Sequence, residues 1–136
     1  MNYFYSDKEK EIIKEELLTT KAVEWAKSFI NPQRTHRGPR NPKLTSAQLR
    51  RFYNDVKALE SKIASGEFEK NKPIIKMLKS KVAYASPVRG RDRKVPIEFR
   101  NFLEEMVDNI NDLKDFEAFC LTFEAVVGYF YGEGGK

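Results

Sequence analysis

The chain has little of what several classes of protein require. It contains a single cysteine, Cys120, so no disulfide can form within it, which fits a reducing compartment. It has no stretch of about 18 consecutive apolar residues and no apolar N-terminal run like that of a signal peptide. We therefore expect a soluble cytoplasmic protein that makes no contact with a membrane.

Residues that carry catalysis are also scarce. The only histidine, His36, lies in a proline-rich segment without a rigid surrounding. Glu104, Glu105 and Asp108 lie close together on a helix, but on a face that we expect to be solvated, whereas a metal-dependent nuclease needs carboxylates that converge on an ion. Cys120 has no basic neighbour that would lower its pKa, and the chain has no glycine-rich phosphate loop. We predict no enzymatic activity, no metal site and no cofactor.

Positive charge is abundant, and it is concentrated in the middle of the chain. Residues 31–94 hold 17 of the 25 lysines and arginines and only 5 acidic residues, a formal charge of +12. Residues 1–30 sum to −1 and residues 95–136 to −6, so the net charge of +5 conceals a strong segregation. Segregation on this scale predicts a basic face that meets a polyanion, most simply a nucleic acid.

Apolar residues recur with helical spacing along the chain, and no alternating strand pattern is visible. The predicted helices cover about residues 7–30, 45–65, 73–86, 96–110, and a last helix that follows an Asp-rich turn at 112–115 and continues to 130. Thr19 and Thr20 are weak helix formers at which the first helix could be interrupted, and Thr45 with Gln48 forms a capping-box signature at the second. The wide apolar stripe of the last helix places it in the core or at an interface. We predict an all-α, compact bundle of about five helices in a single helical domain, residues 1–136.

Two loops between the helices carry many of the basic residues. In the Pro-rich loop 31–43, a basic residue recurs at every third position: Arg34, Arg37, Arg40 and Lys43. In a polyproline II conformation all four would point the same way, although an accidental spacing in a solvated linker is the alternative. The second loop, 86–95, contains Arg89, Arg91, Arg93 and Lys94 and no apolar anchor. Guanidinium groups suit phosphates because each can donate two hydrogen bonds at once.

The remaining basic residues lie on helices. Arg50 and Lys57 share one face of the second helix. Lys72, Lys76 and Lys79 align as a stripe on the third helix, and no acidic residue between them offsets their repulsion. We expect these side chains to contact a nucleic-acid backbone without sequence preference. Two aromatic residues border them, Tyr53 and Tyr84, and we expect both to pack beneath the basic face rather than to stack on a base.

A family resemblance is carried by three segments: LTSAQLRRFYNDVKAL (44–59), IIKMLKSKVAYA (74–85) and FEAFCLTFEAVVGYF (116–130). Together they resemble the small helical subunit of type III-A CRISPR–Cas effector (Csm) complexes. The resemblance implies a non-catalytic, RNA-binding subunit of an antiviral ribonucleoprotein complex, present in several copies that stack into a filament along guide and target RNA beside other Csm-type subunits. It also implies RNA contacts by Arg50, Arg51, Lys76, Lys79 and Lys81.

Two other functions stay open from the sequence. The chain could be a DNA-binding transcription regulator that acts as a dimer and uses the third helix as a recognition helix, or a scaffold whose basic face meets an acidic protein partner. Against the regulator, the string KMLKSK offers few base-reading side chains, and the link at residues 65–70 is longer than a usual helix-turn-helix turn. The complete set of predicted RNA-binding residues is Arg34, Arg37, Arg40, Arg50, Arg51, Lys57, Lys72, Lys76, Lys79, Lys81, Arg89, Arg91 and Arg93.

Overall fold

Helices dominate the structure, a computed structural model that describes residues 2–9, 11–34, 40–88 and 92–136. In chain order the elements are β1 (Tyr5–Asp7), β2 (Ile12–Ile13), α1 (Glu15–Leu18), α2 (Thr20–Ile30), α3 (Ser46–Ile63), α4 (Phe68–Ala85), α5 (Ile97–Asp108) and α6 (Leu113–Gly132). The predicted all-α bundle is confirmed, and the short hairpin is an addition to it. Within the described residues, no helix is both long and apolar enough to cross a membrane.

The five longer helices pack around one core. α2 contacts α5 and α6, α3 contacts α4 and α6, and α4 contacts α5, so the five close into a ring. Phenylalanine rings fill the centre: Phe99 meets Phe29 edge to face with 5.2 Å between ring centroids, and Phe102 meets Phe123 at 5.8 Å. Such pairs add about 0.5–1.5 kcal/mol each beyond the burial of their area. The rings therefore fix α2, α5 and α6 relative to one another.

α6 is the central helix, as its wide apolar stripe predicted. It contacts α1, α2 and α3, and Phe116, Phe123 and Phe130 are buried along its length. The helix begins at Leu113, inside the predicted Asp-rich turn, because the Asp112 carboxylate accepts a hydrogen bond from the Asp115 N–H at 2.9 Å. An N-cap of this kind satisfies an N–H group that has no partner within the helix.

The N-terminal part of the first predicted helix is wrong. Residues 5–13 form the antiparallel hairpin β1–β2, with Glu11 in the left-handed region at a φ of 57°. The Tyr5 hydroxyl donates to the Lys114 carbonyl, and Lys8 Nζ lies 2.6 Å from the Asp112 carboxylate. These contacts fasten the hairpin to the start of α6. They are long-range contacts that helical periodicity does not reveal, and they decide the conformation of this segment.

Two predicted helix boundaries are confirmed. α1 ends and α2 begins on either side of Thr19, whose hydroxyl donates to the Glu15 carbonyl at 2.8 Å. α3 ends at Ile63, just before the predicted stop at Ser65–Gly66, and Gly66 has a φ of 96°, which favours glycine.

α4 begins five residues before the predicted start at Pro73. Phe68 and Asn71 are both buried, and Asn71 Nδ2 donates to the Glu67 carbonyl at 2.8 Å, so packing and a side-chain hydrogen bond start the helix there. Pro73 lies in the second turn, on the exposed side. The link between α3 and α4 is consequently only residues 64–67, and the argument against a helix-turn-helix from a long link is wrong.

Candidate nucleic-acid interface

The ends of the Pro-rich loop are held against α5 by one asparagine. Asn41 Oδ1 accepts from the Ile97 N–H at 2.9 Å, and Asn41 Nδ2 donates to Glu98 at 2.9 Å. The Gln33 N–H donates to the same Glu98 carboxylate at 2.8 Å. Leu44, buried, bonds through its N–H to the Phe29 carbonyl at 3.0 Å. The backbone that carries the basic residues at 34, 40 and 43 is therefore held in place by these hydrogen bonds.

The start of α3 joins this loop to the second basic segment. The predicted capping box is confirmed: Thr45 Oγ1 accepts from the Gln48 N–H at 3.2 Å, and Gln48 Oε1 accepts from the Thr45 N–H at 2.9 Å. Gln48 Nε2 also donates to the Lys94 carbonyl at 2.7 Å. One side chain thus caps the helix and brings two distant parts of the chain together.

Between these segments lies an open cavity of about 850 Å³, which we call the basic hollow. The residues that line it are Arg34, Arg40, Asn41, Pro42, Lys43, Thr45, Gln48 and Lys94. Four of the eight are cations and none is acidic. Within the part of the chain that the structure describes, no ion pair neutralises any of the four. The hollow is a concave surface of uncompensated positive charge.

The hollow differs from the arrangement that a polyproline II conformation would give, in which the four basic residues of the Pro-rich loop point the same way. Arg34, Arg40 and Lys43 face a common cavity, and they share it with Lys94 from the other loop. Arg37 lies outside the described residues, so the arrangement of all four basic residues stays a prediction. On the sequence alone, Lys94 belongs to the second loop and not to the Pro-rich loop. The role of Gln48 in joining the two loops was not predicted. The capping-box signature of Gln48 was the only sequence signal at that position, and it says nothing about Lys94.

Arg93 is bonded within its own loop, and its predicted contact with RNA stays a prediction. It is only 8% exposed, and its guanidinium donates to the Pro87 carbonyl at 3.1 and 3.0 Å and to the Val88 carbonyl at 3.3 Å. The second loop was expected to have no apolar anchor, and the group that holds its described residues together is the cation Arg93. Its partners in the predicted set, Arg89 and Arg91, lie outside the described residues.

Lys72, Lys76 and Lys79 follow one another along one side of α4, and we call them the lysine seam. Lys76 Nζ donates to the Val107 carbonyl at 2.6 Å and to the Ile110 carbonyl at 2.8 Å. Burial, chiefly, lowers the pKa of the Lys76 ammonium. The prediction of an uncompensated stripe is wrong for two of its three members, since Lys76 donates to carbonyls at and just after the end of α5 and Lys79 pairs with Asp108.

Other predicted RNA-binding side chains also have partners within the fold. Lys79 pairs with Asp108 of α5, and the hydrogen bond between them raises the pKa of Lys79. The other pairs are Lys81 with Asp55 at 3.2 Å, Lys57 with Glu60 at 3.1 Å, and Arg50 with the Tyr131 hydroxyl at 2.9 Å. Arg51 and Lys72 have no hydrogen bond or ion pair to any side chain in the described ranges. These pairs are exposed and weak, so they occupy the cations without removing them from solvent.

The two tyrosines that border the basic residues behave differently. Tyr53 packs as predicted, with its ring centroid 5.8 Å from that of Phe123 and with Lys57 Nζ 5.4 Å from its own. Tyr84 is 85% exposed, so the prediction that it packs beneath a basic face is wrong. It ends an outward face of α4 that no other part of the described chain covers.

The acidic residues of α5 do not converge on a common point. Glu104 pairs with Arg100, Glu105 accepts from the Tyr3 hydroxyl at 2.8 Å, and Asp108 pairs with Lys79. No group of three or more potential metal ligands occurs among the described residues. Cys120 is buried as predicted, and burial raises the pKa of its thiol well above the ordinary range. His36 lies outside the described residues.

Comparisons with known proteins agree with the resemblance in the helical segments. No curated protein and no solved structure gives a significant match to this chain. The family model described as Csm2 Type III-A matches residues 13–136, which includes every helix of the bundle. Because that match extends over most of the sequence, the chain belongs to the Csm2 type III-A family and is a subunit of a type III-A CRISPR complex, with other Csm subunits as its partners.

Proposed function

We propose that this subunit is non-catalytic and binds the backbone of guide and target RNA, with the basic hollow as its main contact. The single observation that carries the proposal is the convergence of Arg34, Arg40, Lys43 and Lys94 on one cavity without an acidic residue in its wall. Four unpaired cations around a concave surface attract a polyanion and focus its field there. Several copies then act side by side along the RNA, each with its own hollow.

The position of the hollow at the start of α3 supports an anionic ligand. A helix N-terminus carries a partial positive charge, so cations around it are unfavourable in the free protein. Lys43 and Lys94 nevertheless line the cavity beside Thr45, the N-cap. An RNA phosphate would relieve this repulsion, and contact with phosphates alone implies binding without sequence preference.

Neutralising the hollow tests the proposal. We expect the triple variant Arg40→Gln, Lys43→Gln, Lys94→Gln to bind a single-stranded RNA of mixed sequence about 100-fold more weakly at 0.1 M salt, if each cation neutralises one phosphate. The slope of log affinity against log salt should become shallower by about 2. Fluorescence anisotropy over a salt series measures both, and thermal melting checks that the variant is folded.

The matched control removes the same charge elsewhere. Lys21→Gln, Lys27→Gln, Lys62→Gln changes three exposed lysines outside the hollow, so both triples lower the net charge from +5 to +2. We expect the control to keep its RNA affinity within about threefold, since only long-range attraction is lost. Equal losses in the two triples would show that diffuse charge, not the hollow, binds RNA.

The same assay separates the DNA-binding alternative. The short link at residues 64–67 has the length of a helix-turn-helix turn, so a regulator remains a candidate on that observation. However, the outward face of α4 carries Ile74, Met77 and Tyr84 together with Lys70 and Lys81, and no arginine, asparagine or glutamine that would read base edges. A clear preference for duplex DNA over RNA of equal length would favour the regulator and contradict our proposal.

A further inference from the structure

One face of α4 points to solvent and carries both apolar and basic side chains. We call it the α4 face, and its members are Lys70, Ile74, Met77, Lys81 and Tyr84. Ile74, Met77 and Tyr84 are 46%, 54% and 85% exposed. No acidic residue lies among the five, although Lys81 pairs across to Asp55 of α3. Residues at alternating spacings of four and three share one side of a helix, so the five form a continuous stripe.

The outward side of α6 carries a second stripe with the same spacing. We call it the α6 face, and its members are Glu117, Leu121, Glu124, Gly128 and Tyr131. Leu121 is 47% exposed and Tyr131 39%, and both glutamates are exposed without an ion pair to any described residue. Each stripe spans 15 residues, about 21 Å from its first residue to its last along the helix. The two stripes therefore match in length and in the order of their spacings, and they differ in the sign of their charge.

Gly128 gives a second, independent reason to expect a partner on the α6 face. It lies inside a 20-residue helix, where glycine is less favourable than alanine. A Cβ atom added there would meet nothing within 4 Å, and the same holds for Gly132 one turn later. Nothing in the described fold explains a missing side chain at position 128. A neighbouring molecule that approaches the helix closely would explain it.

We propose that the α4 face of one copy docks on the α6 face of the next copy, with Met77 and Tyr84 against the shallow surface at Gly128. The inference rests on the proposed function, in which several copies assemble, and it names the surfaces they use. A symmetric contact between two α4 faces would oppose lysines, and one between two α6 faces would oppose glutamates. Only the unlike pairing brings opposite charges together.

The position of the two helices makes such a contact propagate. α4 packs between α3 and α5, whereas α6 packs against α1, α2 and α3, so the two faces belong to different helices of the ring, one on either side of α3. One copy can therefore use both faces at once. A contact between unlike faces that does not close on itself produces an open chain of subunits rather than a dimer.

Charge reversal tests the pairing. Variant A carries Lys70→Glu and Lys81→Glu, and variant B carries Glu117→Lys and Glu124→Lys. In sedimentation velocity over a protein concentration series, we expect the wild type to form species larger than a monomer. Each variant alone should associate at least about tenfold more weakly than the wild type. An equimolar mixture of A and B should recover association, because each then offers the other an oppositely charged face. A wild type that stays monomeric, or a mixture that recovers nothing, would overturn the inference.

Gly128 provides a test that does not depend on charge. Gly128→Leu should weaken association about tenfold or more while the melting temperature stays at or above that of the wild type, since leucine favours the helix and has open space in the monomer. Gly128→Ala adds only a methyl group at the same position, so we expect it to weaken association less than Gly128→Leu does. If Gly128→Leu associates like the wild type, no partner lies at that position and the inference fails.

RNA affinity measured on the same proteins separates the two proposals. Gly128→Leu changes no charge and no predicted RNA-binding residue, so a loss of association in that variant with the RNA affinity unchanged supports both. A wild type that associates through these faces but binds no RNA would contradict the proposed function and leave the assignment of the faces standing.

Discussion

In the basic hollow, four cations line an open cavity with no acidic residue in its wall, whereas in the lysine seam Lys76 and Lys79 contact the C-terminal end of α5. Lys76 in the seam donates to the carbonyl of Val107 in α5 and to that of Ile110 just after it, and Lys79 pairs with Asp108. Lys43 and Lys94 in the hollow have no such partner among the described residues. The two regions show that a positive charge in a sequence can either complete the fold or remain available to a ligand.

The difference arises from what lies opposite each set. The last carbonyls of α5 have no partner within their own helix, so an ammonium group that reaches them satisfies two acceptors and complements the helix dipole. The start of α3 is already capped by Thr45 and Gln48, and a helix N-terminus needs acceptors rather than cations. The seam therefore contributes to stability, whereas the cations of the hollow have no such role and stay available to a ligand.

The largest effect on stability is expected when one charge in the seam is reversed. Lys76→Glu places a carboxylate against the Val107 and Ile110 carbonyls, and we expect it to lower the free energy of unfolding by about 3 kcal/mol, or the Tm by about 10 °C. Lys72→Glu, on the same stripe but without a hydrogen-bond partner, should change stability by no more than about 0.5 kcal/mol. Urea unfolding followed by circular dichroism measures both. If Lys76→Glu is as stable as the wild type, Lys76 is not a structural residue.

A smaller effect is expected from the wall of the hollow. Thr45→Ala removes the side chain that accepts from the Gln48 N–H, and we expect it to cost about 1 kcal/mol of stability. Lys43→Ala, in the same wall, should leave the free energy of unfolding within about 0.5 kcal/mol of the wild type. A clear loss of stability in Lys43→Ala would mean that the cations of the hollow also complete the fold.

The smallest effect on stability is expected at the ion pair between Lys8 and Asp112. Like Lys79 in the seam, Lys8 is a cation with a carboxylate partner. Burial acts to raise the pKa of Asp112, but hydrogen bonds from Lys8 and from the Asp115 N–H outweigh it and hold that pKa below its ordinary 3.8. The ionised carboxylate therefore stabilises the fold at neutral pH, and its contribution is lost as the pH falls below 3.8 and through the value in the folded protein.

Asp112→Asn isolates this charge, because asparagine is also a good N-cap. We expect the variant to be about 0.5 kcal/mol less stable than the wild type at pH 7 and equal to it once the carboxyl is protonated. Urea unfolding at a series of pH values measures the difference. A difference that persists in strong acid would show that the cap, not the ion pair with Lys8, was damaged.

Much of the helical pattern could be predicted because it depends on neighbours in the chain. The capping box at Thr45 and Gln48, the break at Thr19 and the core position of α6 follow from residues within a few positions of one another. The hairpin at residues 5–13 could not be predicted in this way, since contacts with α6 more than 100 residues away hold it in place. The early start of α4 depends on the burial of Phe68 and Asn71, which the pattern also does not show.

The sequence by itself determined that this protein is a bundle of helices with a strongly basic middle, and three of its segments were enough to indicate the family to which it belongs. Helical periodicity and charge segregation are properties of composition and order, so they can be read without coordinates. Only the tertiary structure decided which cations are free. That choice depends on which groups the packing brings opposite each side chain: carbonyls and carboxylates for Lys76 and Lys79, and open solvent for the hollow.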